Sequence, residues 1–308
     1  MKIIGINISH HPSICVYENG KIKSFYNEDR FVLCKGYSLD QAEIMQCILQ
    51  KIDFKPDMVC YSSYGRNYRY SDTTDEKIIE LFQNQLKNPP YFFDQKEHHL
   101  YHAVAAFHFS AFKEAVAIIV DGSGSCKFQI PYREIESIYF INNKGINPIY
   151  KHSTCFKTDH SLNLKTNTWR TQTFQKGFYN TFSNESRGGI DFLNACEAIG
   201  YPGRGMYAGK VMGLSSYAYS KKKYNLDYSK VEIAKNVQEK TFKETCMLID
   251  FAKNKSNNIV LSGGYFLNCS NNFKYVKKYP NLNFFVDPIP HDGGTAIGAA
   301  VYYDNYKR

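Results

Sequence analysis

Apolar runs in this sequence are short. Stretches such as "AVAIIV" (residues 115–120) fall far below the roughly 20 residues that a membrane-spanning helix needs. The opening "MKIIGINIS" lacks the apolar core and cleavage pattern of a signal peptide and reads as a strand. CxxC pairs are also missing. Nine scattered cysteines, an odd number, argue against a disulfide framework and for reduced thiols, so a cytoplasmic setting is expected, with no membrane partner. Carboxylates are in short supply: 29 Asp and Glu face 38 Lys and Arg, a net charge of +9. Such an excess attracts phosphates, whether of nucleotides, RNA or DNA. The same excess also arises from an AT-rich genome that writes Lys, Asn, Ile and Tyr throughout.

What is present is an alternating α/β pattern in a chain of 308 residues, 43% of them hydrophobic, enough for two lobes. Residues 2–8 alternate as a strand. "ICVYENGKIKSFY" reads as two strands around the Asn19-Gly20 turn. "SLDQAEIMQCILQKI" begins with a Ser38/Gln41 capping box and carries helical apolar spacing. A strand ("MVCYSS"), a helix ("EKIIELFQNQL") and a histidine-led helix follow. The plan then repeats: "AVAIIVDGSG" opens a second meander with "EIESIYFINNKG" and "INPIYKHS". Residues 155–187 read as polar, aromatic and irregular. Helices are expected at "DFLNACEAIGY" and "EKTFKETCMLIDFAKN". Residues 1–114 and 115–308 are thus expected to form two lobes of one unit. The turns DGSG, SGG and DGG each follow an apolar strand, where backbone N–H groups can face phosphate oxygens.

In "KEHHLYHAVAAFHFSAFKEA" the imidazoles of His98 and His102 lie four residues apart and share one helix face. The rest of that helix is apolar on nearly every side, which predicts burial, and buried imidazoles need partners. A hydrogen-bonded pair at a helix start is one reading. A site for iron, zinc or manganese, completed by Asp121 and Asp292, is the other.

Six blocks in order give the chain a resemblance to the O-carbamoyltransferases of antibiotic and nodulation-factor biosynthesis. They are "GINISHHPSICVYENGKI", "NEDRF", "HHLYHAVAAF", "VDGSG", "GKVMGLSSY" with "LSGGYFLNCSNN", and "DPIPHDGGTAIGAA". The N-terminal domain of that family is similar to the protein that transfers threonylcarbamoyl to transfer RNA. The resemblance therefore implies the two-lobed actin/sugar-kinase/Hsp70-like fold, with duplicated mixed sheets flanked by helices.

By this resemblance His98, His102, Asp121 and Asp292 hold an Fe2+ or another divalent metal that grips a nucleotide phosphate, with His99 at the flank. Gly122, Gly124, Gly263, Gly264 and Asn268, with Lys210 in "GKVMGL", are expected beside ATP or carbamoyl-adenylate. His10 aligns with the family's early histidine, the candidate general base. The family places Asp next, where this chain has His11, so either imidazole can act. Glu28 and Arg30, and less directly Lys35, are candidates for positioning the acceptor. The family's longer chains add a domain that makes carbamoyl-adenylate from carbamoyl phosphate and ATP. The present chain matches the transferase half, so a separate synthase protein, this chain itself, or neither supplies the donor. Lys157, Lys165, Trp169, Arg170, Lys176, Phe178, Tyr179 and Arg187 mix cations with aromatics, which suits a nucleic-acid or nucleotide acceptor such as a hydroxymethyl pyrimidine. A sugar or small metabolite is the alternative acceptor, and a non-catalytic nucleotide-binding subunit the alternative role.

Overall fold

The computed structural model describes all residues except 31–40, 51, 54, 65–74, 95–96, 128–131, 156–169, 176 and 203–206. Lys35, Ser38, Lys157, Lys165, Trp169 and Lys176 lie outside the described residues.

Strands β1 (Lys2–Asn7), β2 (Ser13–Glu18) and β3 (Lys21–Asn27) form the expected antiparallel meander. After α1 (Gln41–Gln50), β4 (Met58–Ser62) adds parallel to β1. Helix α2 (Asp75–Gln85) and β5 (Tyr91–Phe93) complete a five-stranded sheet in the order β3-β2-β1-β4-β5. Helix α3 (His98–Ser110) then leads to β6 (Glu114–Val120).

The second sheet repeats the plan. Short β7 (Cys126–Lys127), then β8 (Tyr132–Asn142) and β9 (Gly145–Cys155), build an antiparallel meander on β6. Residues 170–183, expected to be irregular, instead form a hairpin of β10 (Arg170–Gln175) and β11 (Phe178–Ser183), paired to β9. The sequence hid it because β10 is exposed along its described side chains and so carries no apolar alternation. Helices α4 (Gly189–Ile199), α5 (Ala208–Ser215) and α6 (Tyr228–Ala252) follow. Strand β12 (Asn258–Ser262), helix α7 (Cys269–Lys278), strand β13 (Asn283–Val286) and helix α8 (Thr295–Tyr302) end the fold. The sheet order is β10-β11-β9-β8-β6-β12-β13.

The period of two in each central strand feeds two different cores. In the first sheet Ile4, Ile6, Ile14, Val59 and Tyr61 pack on Met45, Ile48, Ile79 and Phe82 of α1 and α2. The other face, with Ile3, Cys15, Tyr17 and Cys60, meets α3 and α8. In β6, Ala115, Ala117 and Ile119 join that same cluster, while Val116, Ile118 and Val120 face α4 and α6. Helices α3 and α8 therefore lie in the apolar layer common to both sheets. They can approach this closely because of two glycines. A side chain on Gly298 would strike the Tyr101 carbonyl of α3, and one on Gly5 would strike the Ala296 carbonyl of α8. This layer fixes where the first turn of α3 and the turn before α8 meet.

Candidate metal and nucleotide site

Four polar side chains come together at that meeting point. His98 and His102 occupy the start of α3 and are fully buried, as are their neighbours through Phe107. Asp121 follows the end of β6, and Asp292 opens the turn before α8. His98 Nε2 lies 3.6 Å from both Asp121 Oδ2 and Asp292 Oδ1. His102 Nε2 lies 3.9 and 3.8 Å from the same two atoms. One ligand atom from each residue falls within 4.8 Å of all the others. These separations exceed hydrogen bonds but suit edges of a coordination shell with bonds of about 2.0–2.2 Å.

The atoms facing inward are those with no hydrogen bond: His98 Nε2, His102 Nε2 and Asp121 Oδ2. Several atoms facing outward are held, although His98 Nδ1 also has no hydrogen bond. Asp121 Oδ1 accepts from Gly122 N at 2.8 Å and Gly264 N at 3.2 Å. Asp292 Oδ2 accepts from the Ser9 hydroxyl at 3.1 Å. The Ser262 hydroxyl donates to Asp287 Oδ2 at 2.7 Å and lies 3.3 Å from His102 Nδ1. That chain assigns the His102 proton to Nδ1, so its Nε2 turns a lone pair toward two carboxylates. Acceptors converging on acceptors are reconciled by a cation or by a proton between them. Burial works against charge on His98, yet Asp292 and Asp121 outweigh it and push the imidazole up to about 10. Burial would raise Asp292, but His98 and His102 hold it well below the usual carboxylate range.

His99 stands apart from this set. Its Nδ1 bonds Ser137 Oγ at 2.8 Å, and burial pushes it down to about 4, so it is a neutral, packed imidazole. Gly124 is explained by it: a side chain there would strike the His99 ring at 2.5 Å. Of the other glycine-turn residues, Gly122 is open toward Leu193 at 3.8 Å. Gly263 has φ +99 and backs onto the Val120 carbonyl, so only glycine lets β12 end against β6 there. Gly264 supplies an N–H to Asp121. Asn268 is not turned outward. It is 2% exposed, caps α7 by accepting from Asn271 N, and exchanges two hydrogen bonds with Gln238. These hydrogen bonds tie the start of α7 to α6. Lys210 is exposed, 4.3 Å over the Tyr207 ring, which stacks on Tyr201.

The early histidines differ from one another. His10 is exposed, with its ring 4.1 Å from that of His11. His11 is half-buried, has φ +58, and lies 3.8 Å from Glu28 Oε1. Asn7 Nδ2 holds this turn by donating to the carbonyls of His10 and His11. His291, which the sequence reading passed over, packs edge-on 5.0 Å from His11, and its Nδ1 accepts from Gly293 N. Its signal was adjacency to Asp292 in "PHDGG". Glu28 is buried, whereas Arg30 and Arg170 are exposed.

A layered pair of sheets with repeated meanders, meeting at strand-end turns, defines the actin-like class of folds, and the solved structures agree. The chain is similar to full-length HypF in its phosphate- and nucleotide-bound form, with 15% identity and a TM-score of 0.55, covering 97% of this chain and 54% of that one. It thus spans about half the length of HypF. It is similar to the activator of 2-hydroxyisocaproyl-CoA dehydratase from Clostridium difficile, with 15% identity and a TM-score of 0.52, covering 100% and 96% of the two chains. It is also similar to a ROK hexokinase from Thermus thermophilus, with 11% identity and a TM-score of 0.53, covering 100% and 99%. These likenesses show the fold, the two-lobed actin/sugar-kinase/Hsp70-like one. No curated protein matches the chain. Residues 231–301 match the family model described as the carbamoyltransferase N-terminus. Among the described residues, no helix is long and apolar enough to cross a membrane.

Proposed function

We propose that the chain transfers a carbamoyl group from carbamoyl-adenylate to an acceptor hydroxyl, and that the preferred acceptor is a hydroxymethyl pyrimidine of DNA or of a nucleotide. The observation that carries this reading is the inward-facing set of unbonded, buried atoms on His98, His102 and Asp121, next to Asp292, in a chain whose residues 231–301 match the carbamoyltransferase N-terminus. In this proposal residues 1–114 and 115–308 are the two lobes, with α3 and α8 packed between their sheets.

His98, His102, Asp121 and Asp292 would hold a divalent metal, Fe2+ first among candidates, which supplies positive charge for a nucleotide phosphate. The open backbone at Gly122, and Gly264 beside Asp121, would line the phosphate path. Lys210 on Tyr207 would stand at the nucleotide side. In the transfer step the acceptor oxygen forms a bond to the carbamoyl carbon, and the bond from that carbon to the AMP phosphate oxygen breaks. AMP leaves with the electron pair, and the hydroxyl proton passes to an imidazole. The proposal assigns that proton to His11, because Glu28 lies 3.8 Å away to stabilise the imidazolium, while His10 faces solvent.

The test incubates the protein with carbamoyl phosphate, ATP and a divalent metal, with and without an added carbamoyl-adenylate synthase. The acceptors are an oligonucleotide carrying hydroxymethylcytosine, the free hydroxymethyl nucleotide, and a panel of sugars. Mass spectrometry is expected to show one added HNCO unit on the hydroxymethyl acceptors, lost in His102→Ala. A gain on the sugars alone would replace the acceptor, and no gain on any acceptor with the synthase present would end the transferase reading.

A further inference from the structure

Away from the metal site, one face of the second sheet's helical layer carries a run of cations set against aromatic rings. It starts in the turn at residues 216–227. Tyr217 and Tyr224 meet edge-on at 5.0 Å, and Lys222 lies 5.5 Å over Tyr224. Tyr219, two residues from Tyr217, has Lys274 of α7 at 5.4 Å over its ring. The same ammonium lies 5.7 Å over Phe242 of α6. Lys278, one turn further along α7, lies 5.7 Å over Phe242 and 5.5 Å over Tyr279. Cation and ring thus alternate along a continuous stripe crossing three elements.

Two features set this stripe apart from an ordinary solvated surface. Its rings are exposed where a core would hide them: Tyr219 is 53% and Tyr224 41% exposed. Its charges are also unbalanced. Helix α7 contains no carboxylate, and the 216–227 turn contains one, Asp227, whose side chain accepts from Ser229 N to cap α6. Among the described residues, no ion pair involves Lys221, Lys222, Lys223, Lys274, Lys277 or Lys278. Elsewhere on the same helical layer three lysines are matched, Lys240 with Asp191, Lys235 with Glu232 and Lys253 with Asp250, while at the stripe Glu239 accepts from the Tyr219 hydroxyl at 2.8 Å.

We infer that this stripe is a docking surface for single-stranded nucleic acid, with the six lysines contacting phosphates and Tyr219 and Tyr224 stacking on bases. An acidic protein face would use the charges but has no need of exposed tyrosines alternating with them. A flexible single strand uses both, because a phosphate and a flat base recur at every nucleotide. The inference does not depend on the transfer reaction. A strand without any hydroxymethyl group is bound equally well, so this test and the test of carbamoyl transfer can fail separately.

The experiment measures fluorescence anisotropy of a labelled 20-nucleotide oligothymidylate probe with the full chain, from 50 to 200 mM salt (probe and range chosen for a single-strand salt slope of about 0.7 per phosphate contact). With six contacts the slope is expected near −4, so affinity falls on the order of a hundredfold or more across that range. Neutralising three cations (Lys222→Gln, Lys274→Gln, Lys278→Gln) should shrink the slope by about 2. Tyr224→Ala should weaken binding by roughly tenfold while leaving the slope unchanged, since stacking releases no counterions. Far-ultraviolet circular dichroism confirms that these surface variants stay folded. No binding at 50 mM salt overturns the inference. Polyglutamate competing as well as unlabelled oligothymidylate, with Tyr224→Ala binding like wild type, also overturns it in favour of an acidic protein partner.

Discussion

Two buried groups of histidine and carboxylate stand on neighbouring parts of the second sheet and its edge, and they are built in opposite ways. In one, Glu136 bonds His152 Nδ1 at 3.2 Å through Oε2 and Arg187 Nε at 3.2 Å through Oε1. The second nitrogen of His152 bonds Ser183 Oγ at 2.7 Å. Every ring nitrogen and carboxylate oxygen is matched. In the other, His98, His102 and Asp121 turn unbonded atoms toward a common centre with Asp292. The Ser183–His152–Glu136 order has the form of a nucleophile, a base and an orienting acid. All three are essentially unexposed, however, so no substrate reaches the hydroxyl. What separates the closed cluster from the open one is therefore not the residue types but whether the protein itself completes the hydrogen bonds.

Breaking the completed cluster should show the largest effect. Glu136→Leu leaves Arg187 and His152 buried without their partner and is expected to cost about 3–5 kcal/mol in urea unfolding. The sign with pH follows from the same contacts. Burial would raise Glu136, but His152 and Arg187 hold it below the usual range. Its stabilising contribution is present above the unfolded carboxylate value and is lost as the solution becomes acidic, so Glu136→Leu should flatten the acid limb of the wild-type stability curve.

The incomplete cluster should respond differently. Asp292→Asn is expected to weaken divalent-metal binding by about a hundredfold or more, since it removes a charged ligand. Its metal-free unfolding should change less than that of Glu136→Leu. Thermal melts with and without added metal check both points: the wild type gains stability on metal addition and Asp292→Asn does not. Equal metal content in wild type and variant would remove the basis for calling the two clusters different.

A finer comparison uses two serines, one behind each cluster. Ser262→Ala removes the acceptor of the His102 Nδ1 proton and should lower metal affinity by about 10–100-fold. Ser183→Ala leaves His152 Nε2 unsatisfied and should cost about 1–3 kcal/mol of stability with metal affinity unchanged. Calorimetric titration of both variants distinguishes the roles.

The smallest expected effect is a pH slope. Asp292 and Asp121 push His98 up to about 10, and a metal bound between the carboxylates would displace that proton. The stability this proton gives the metal-free protein is full below the ordinary histidine value and is lost as pH rises toward 10. Metal affinity should therefore rise by about tenfold per pH unit between pH 7 and 9, one proton being released per ion. A flat profile over that range would show that His98 is already neutral.

Much of this was legible in the residues. Alternation and the Asn19-Gly20 turn specified the first meander, and the all-round apolar face of "LYHAVAAF" specified a buried helix. The four-residue spacing put His98 and His102 on one face because helical periodicity is a local property. Local rules also explain the misses. Strand β11 is held by pairing to β9, and β10 by pairing to β11, not by a pattern of their own. Nor does local sequence show that the Asn268 amide closes on Gln238, 30 residues earlier in the chain. His11 and His291 come together only across 280 residues of sequence.

The sequence by itself determined the helix that carries two imidazoles, the glycine turns that end its strands, and the excess of cations over carboxylates. Spacing, backbone freedom and charge are all read within a few residues. Tertiary structure alone decided which acceptors were left without donors. Asp121 and Asp292 reach His98 and His102 because Gly5 and Gly298 let α8 and α3 pack tightly between the sheets. Glu136 and His152, equally polar in the sequence, were instead closed off by Arg187 and Ser183. Hydrogen-bond satisfaction depends on groups far apart in the chain, so it exists only once the core has brought them together.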